Sequence, residues 1–482
     1  MSAAVTPAMG VDVMKQRMEQ ALMDVSDRFF LFASDRDPQA VEYATGKHFS
    51  KGSFKALDLE IPDVQVGTHA NGSPRYMDAQ DFWWEHKGYP KRVVTAMTFE
   101  PLPHVGADGK QIEDDRMSPT YNMWFRLREG MVKPDLSATS ADIEPFTRFL
   151  GRLAGGARDE GGVGLKALLC WTASLYLRPH IKILHVPVLH SPEEGVGKSA
   201  FIELLRAMLG SGLVNSVEGA ALKSKFQSSL WPYLVVGVNE VSAVRDPDTA
   251  GRLKTLITDP FMRIEVKQVT AHDNVPNYLQ FVYTSNDLNC VALSGIGERR
   301  HLILACDETP MTPADYRAIV GWMQNGGAAK VAGVLVKTFG YDGKGFESIG
   351  WDAKARPPVT DAKLDMFEES MSPLAKFIKA KIDRREKPFE KDLGDIDDLV
   401  QILSLDSQAV LAAQKLTVNK DTLPPALRQA GVTHIRTSRV KGYAHWCWRN
   451  AAEWGKKTPQ ERRDHAARPG ASLHAIEGGK QP

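Results

Sequence analysis

The chain has 482 residues, too long for one ordinary hydrophobic core, so about two to four domains are expected. Hydrophobic residues make up 43% and charged residues 25%, the balance of a soluble globular protein, which excludes a disordered or fibrous chain. A net charge of +1 excludes a uniformly basic coat for nucleic acid, so phosphate contacts must come from local patches.

Residues 1–137 mix short helical and strand-like pieces with turn signals such as "ANGSPR" and "GADGK". Phe82, Trp83, Trp84, Tyr121, Trp124 and Phe125 are candidates for a small core there. "SADIEPFTRFLGRLAG" and "GLKALLCWTASLYL" follow at helical spacing. "KILHVPVLH" (182–190), "YLVVGVNE" (233–240), "YLQFVYTSN" (278–286) and "RHLILAC" (300–306) read as buried strands alternating with helix, which argues for a parallel α/β sheet. A helical stretch over 313–337 leads into "FGYDGKGFESIGWDAKARPPVTDA", rich in Gly, Asp and Pro, which reads as a linker over 341–364. A last small domain is expected over 365–457, and a disordered polar tail over 458–482. Cys170, Cys290, Cys306 and Cys447 form no CxxC pair and suit a reducing compartment. No apolar run spans a bilayer and the start lacks a secretion pattern, so a host cytoplasm with no membrane partner is expected.

"HSPEEGVGKSAFIELLRAMLG" (190–210) carries the chemistry. It holds the second half of a phosphate-binding GxxxxGK[ST] loop in Gly195, Gly197, Lys198 and Ser199, with Pro192 where the first glycine stands. Backbone N–H groups across Glu194, Gly195, Val196, Gly197, Lys198, Ser199 and Ala200 can face phosphate oxygens at a helix start. Lys198 would hold the β- and γ-phosphates of ATP, and Ser199 would ligate Mg²⁺. "LVVGVNE" puts Asn239 and Glu240 at a strand's carboxyl end, where sites on open sheets form. Glu240 is placed to polarise the attacking water, and Asn239 stands where an Asp would help hold the metal. Asn286, at the end of "FVYTSN", can bond the γ-phosphate or the water. Arg299 and Arg300 in "GERRHLI" offer a guanidinium for a neighbour's nucleotide.

Taken in order, "PEEGVGKS", "LVVGVNE", "RIEVKQVTAHDNVPN", "FVYTSN" and "GERRHLI" resemble the motifs of superfamily 3 helicases, and most of all the phage and plasmid primase-helicases of the poxvirus-type branch. The resemblance covers roughly residues 140–340. It implies a P-loop AAA+ core over 138–340, including the leading helical segment, in a homo-oligomeric ring, usually a hexamer, with ATP between subunits. It gives Lys198 and Ser199 the Walker A roles, Glu240 the catalytic role, Asn286 the sensor role, and Arg299 or Arg300 the finger supplied in trans. Pro192 and Asn239 depart from the pattern.

"FMRIEVKQVTAHDNVPNYLQF" reads as a hairpin. In the family that hairpin projects into the central channel, which makes Lys267, His272 and Arg263 the candidates for single-stranded DNA phosphates. In the last domain, "TLPPALRQAG" (422–431) reads as a helix capped by Thr422, and "THIRTSRVKGYAHWCWRN" as two strands around a turn at Lys441. Helix then hairpin is a winged-helix pattern. From Arg428 onward there are eleven Lys or Arg against four Asp or Glu, and Arg436, Arg439 and Lys441 would meet duplex origin DNA. "LDLE" offers Asp58 and Glu60 on one face of a strand, but a small α+β N-terminal domain without catalysis, such as a collar, is expected. These readings lead to a replicative DNA helicase of a phage or mobile element. The alternatives are a primase-helicase with N-terminal primer synthesis, and a nucleotide-gated origin-binding or melting protein without processive unwinding.

Overall fold

A computed structural model describes residues 11–33, 37–88, 90–104, 110–223, 230–241, 247–264, 272–291, 293, 295–436 and 444–467. At its centre lies a five-stranded sheet of β1 (Val186–His190), β2 (Val214–Glu218), β3 (Val235–Asn239), β4 (Gln280–Ser285) and β5 (His301–Ala305). The spatial order is β2-β3-β4-β1-β5, and every neighbouring pair is parallel. Every residue of β1 and β4 is buried, which is why both read as continuous apolar runs. Strand β2 was not expected. Only Val214 is buried, Asn215 and Val217 are half-buried and Ser216 and Glu218 exposed, so this edge strand shows little hydrophobic signal.

The chain leaves β1 through glycines into the helix Lys198–Leu209, whose Phe201, Leu204, Leu205 and Met208 are buried. Glycine at 237 in β3 lets that helix lie close, since a Cβ there would stand 2.3 Å from Ile202 Cδ1. The helices Glu144–Ala154 and Val163–Leu177 pack on the same side, in a core shared with the Lys198 helix. The helical stretch after 313 is interrupted by a π turn over Met323–Gly327, with Gly326 at φ +100°.

Four expectations need correction. Residue 137 does not separate two cores. Tyr121 and Trp124 belong to the same apolar cluster as Phe201 and Leu302, whereas Trp83 packs in a separate N-terminal cluster with Phe29 and Phe54. "LDLE" is no strand. Glu60 has φ +57° and its N–H donates to Asp58 Oδ1 at 3.1 Å, a local turn. The 341–364 segment is not a free linker. Phe346 stacks on Phe339 at 4.4 Å between centroids, and Trp351 Nε1 donates to Ser174 Oγ at 3.1 Å. These aromatic anchors outweigh the glycines and prolines around them. The tail expected to be disordered carries the helix Pro459–Ala467, where Thr458 and Glu461 cap one another and Arg462 and His465 are buried. Residues 468–482 lie outside the described residues.

The last domain runs helix Pro373–Asp383, strand Leu393–Gly394, helices Ile396–Asp406, Gln408–Ala413 and Leu423–Gln429, then strands Thr433–Arg436 and Ala444–Cys447. The last strand lies between the other two, antiparallel to both. Asp392 is wholly buried at its centre and takes bonds from Asn450 Nδ2 and Trp454 Nε1, each 3.1 Å, beside Arg449 Nε at 3.3 Å. Thr422 does not cap its helix through its side chain, and its hydroxyl donates instead to Thr417 O at 2.8 Å.

Candidate functional site

The carboxyl ends of β1, β3 and β4 meet around the glycine loop. Gly195 and Gly197 have φ of +72° and +108°, a region that L side chains avoid. Gly197 also lies against neighbours, since a Cβ there would stand 2.9 Å from both Met311 Sδ and Phe149 Cε2. Met311 N–H donates to Gly195 O at 2.9 Å, so the segment after β5 braces the loop. Val196 and Ala200 are buried beneath it, while Pro192, Glu194 and Ser199 are exposed.

Lys198 sits in the hollow of the loop with little exposure. Its ammonium donates to Ser191 O at 3.2 Å, Glu193 O at 3.1 Å and Asn286 Oδ1 at 2.5 Å. All three acceptors are neutral oxygens. Burial lowers its pKa, and the negative charge of Glu240 and Glu194 opposes that shift. A cation enclosed by neutral acceptors, beside a 12-residue helix whose first N–H groups have no partner inside the helix, fits a polyphosphate. The exposed Ser199 hydroxyl on the first turn fits a hard cation beside it.

Glu240 is exposed just past β3, with the positive φ of +49°. Gly219 makes room for this turn, as a Cβ there would come within 2.5 Å of Glu240 O. Asn239 is engaged elsewhere. Its amide donates to Glu218 Oε1 at 3.2 Å, and its Oδ1 accepts from Thr284 Oγ1 at 3.4 Å. Glu218 thus puts a carboxylate beside the position where an acid was sought, and it was missed because its strand was not read.

Arg299 and Arg300 lie elsewhere on the sheet. They precede β5, whose first residue pairs with Val186 and whose last pairs with His190. The arginines therefore stand beside the amino end of β1, with the whole length of that strand, about 13 Å at 3.3 Å per residue, between them and the loop. Arg300 is fixed, its N–H bonding Glu298 Oε1 at 2.9 Å and its guanidinium 3.6 Å from the same oxygen. Arg299 is exposed.

The expected hairpin exists as Phe261–Ile264 paired antiparallel with His272–Pro276. Arg263 and His272 lie in its two strands, and Lys267 lies outside the described residues. Its root is held by Asn277, which donates to Leu256 O and Asp259 O at 2.8 Å each, and by the Lys182 ammonium on Leu256 O at 3.0 Å. Arg436 ends the strand Thr433–Arg436, and Arg439 and Lys441 lie outside the described residues. Among the described residues no group of three or more His, Cys, Asp or Glu could hold a metal by itself, and no helix is long and apolar enough to cross a membrane.

Residues 189–300 match a family of unknown function, DUF5906. A curated relative is the DNA primase-polymerase of Nitratiruptor phage NrS-1, 29% identical over 118 residues. That match spans 24% of this chain and 16% of the phage protein. Among solved structures, the apo C-terminal region of NrS-1 superposes with a TM-score of 0.52 at 18% identity, over 86% of each chain. The two share a fold across nearly their whole extent. The active helicase Cch of SCCmec type IV gives 14% identity and a TM-score of 0.33, over 75% of this chain and 66% of that one.

Proposed function

We propose that this protein is an ATP-dependent DNA helicase that serves the replication of a phage or mobile element. It belongs in this reading to the superfamily 3 branch of AAA+ proteins and works as a homo-oligomeric ring, a hexamer. The observation that carries the reading is the meeting of Lys198 and Asn286 within the glycine loop, across strands β1 and β4, with Glu240 just past the neighbouring strand β3. The sequence match to a phage DNA primase-polymerase supports it.

ATP supplies a phosphoanhydride bond, and Mg²⁺ neutralises the charge on its phosphates. The N–H groups of Glu194 to Ala200 bind phosphate oxygens, and Lys198 shifts from its carbonyl partners to the β- and γ-phosphates. Ser199 and Glu240 would hold the metal, with Asn239, bonded to Glu218 and Thr284, beside them. Glu240 also orients water, and Asn286 reports the γ-phosphate to β4. Arg299 reaches the nucleotide of the adjacent subunit, while Arg300 stays on Glu298. Lys267, with His272 and Arg263, grips single-stranded DNA in the channel. The last domain is a winged helix whose Arg436, Arg439 and Lys441 meet duplex DNA.

Strand displacement tests this. Wild type with Mg-ATP should release a labelled strand from a forked duplex, and Lys198→Ala should not. ATP hydrolysis without release would instead favour origin melting or marking.

A further inference from the structure

The turn that carries the two arginines is held from the inside by a residue far along the chain. Lys363 lies on the helix Asp361–Ser370, within a stretch whose sequence reads as a connector, yet it is only 1% exposed. Its ammonium donates to Glu298 O at 2.5 Å and to His301 O at 3.2 Å, one on each side of the arginine pair. Glu298, 3% exposed at its side chain, completes the turn by accepting from the N–H groups of Arg300 and His301, at 2.9 and 3.1 Å, and from His301 Nδ1 at 3.0 Å. The same helix spans two cores. Its Met366 packs with Ile303 of β5, while its Phe367 packs with Leu374 and Leu427 of the last domain.

We infer that Lys363, acting with Glu298, is a positioning residue for the trans-acting Arg299, and that the helix Asp361–Ser370 ties that arginine to the last domain. This rests on the reading that Arg299 serves a neighbour's nucleotide. The physical reason is that a lysine has three rotatable donors, and a buried ammonium must satisfy them. Two of them are used on the backbone flanking Arg299, which fixes the direction in which its exposed side chain leaves the turn. A displacement of about 1 Å at a catalytic group costs on the order of 10²-fold in rate.

Subunit mixing tests this with the full-length chain. Lys363→Met should lower kcat for DNA-stimulated ATP hydrolysis by about 10²-fold, with KM for ATP and ring assembly unchanged. Its own loop stays intact, so mixing it with Lys198→Ala subunits, which keep a sound arginine turn, should restore hydrolysis above either variant alone. Arg299→Ala mixed with Lys198→Ala is the control for the underlying reading. If that control recovers and Lys363→Met does not, the positioning role is wrong. If neither pair recovers, the trans arginine and the role built on it both fall. Should Lys363→Met not fold, Glu298→Gln takes its place with the same expected and overturning results.

Discussion

Replacing Glu298 with glutamine keeps the size of the side chain and removes the buried charge that holds the turn. Burial alone would raise this carboxyl's pKa. The hydrogen bond and charge of His301, the Arg300 N–H and the Lys363 ammonium outweigh burial and hold it down at about 2, against an ordinary 4.5. A folded-state value below the unfolded one means that the unfolded chain takes up the proton first as acid is added. The stabilisation is therefore complete above about pH 4.5 and is lost as pH falls towards 2. At 1.36 kcal/mol for each tenfold change, the whole effect is roughly 3 kcal/mol, of which about 1 is gone at pH 4 and about 2 at pH 3. The assay is urea unfolding of wild type and Glu298→Gln in parallel at pH 7 and pH 4. Every other carboxylate is common to both chains, so the gap between them isolates this one. It should narrow by about 1 kcal/mol at pH 4. A gap that is the same at both pH values would refute the reasoning.

Gly197→Ala should weaken Mg-ATP binding by about tenfold or more in equilibrium titration, since a left-handed backbone with a Cβ costs about 1–3 kcal/mol and the methyl would press on Met311 and Phe149. Gly237→Ala should lower the unfolding free energy by about 1–3 kcal/mol through overpacking against Ile202, read from its denaturation midpoint. Asp392→Ala removes the wholly buried carboxylate that pairs with Arg449 and accepts from Asn450 and Trp454, and should destabilise the last domain by about 3–5 kcal/mol. Hydrogen exchange should then rise over 373–467 and leave the central sheet protected. Arg299→Ala should cut kcat by about 10³-fold or more with nucleotide affinity intact, and it should do so without the loss of stability that Arg300→Ala brings by uncovering Glu298.

The central strands were legible because β1, β3, β4 and β5 are apolar runs ended by polar residues, and period and length decide such cases. The loop was legible because Gly195, Gly197, Lys198 and Ser199 stand together in the chain. What stayed hidden depends on contacts distant in sequence. Nothing around Val214–Glu218 announces a strand until β3 pairs with it, and with that strand went Glu218. Lys363 reads as one more surface lysine, because the carbonyls that bind it lie more than sixty residues earlier. Phe346 and Trp351 were outvoted by the glycines around them. The helix at Pro459 is a different case, since "TPQE" is a readable cap that the polar composition of the tail obscured.

Steady-state ATP hydrolysis by the purified chain, with Mg²⁺ and with or without a single-stranded oligonucleotide, tests the nucleotide site most directly. Wild type should turn over ATP, faster when the oligonucleotide is present, and Lys198→Ala should lose turnover under both conditions. Equal rates for wild type and Lys198→Ala, or no hydrolysis by wild type, would contradict the account.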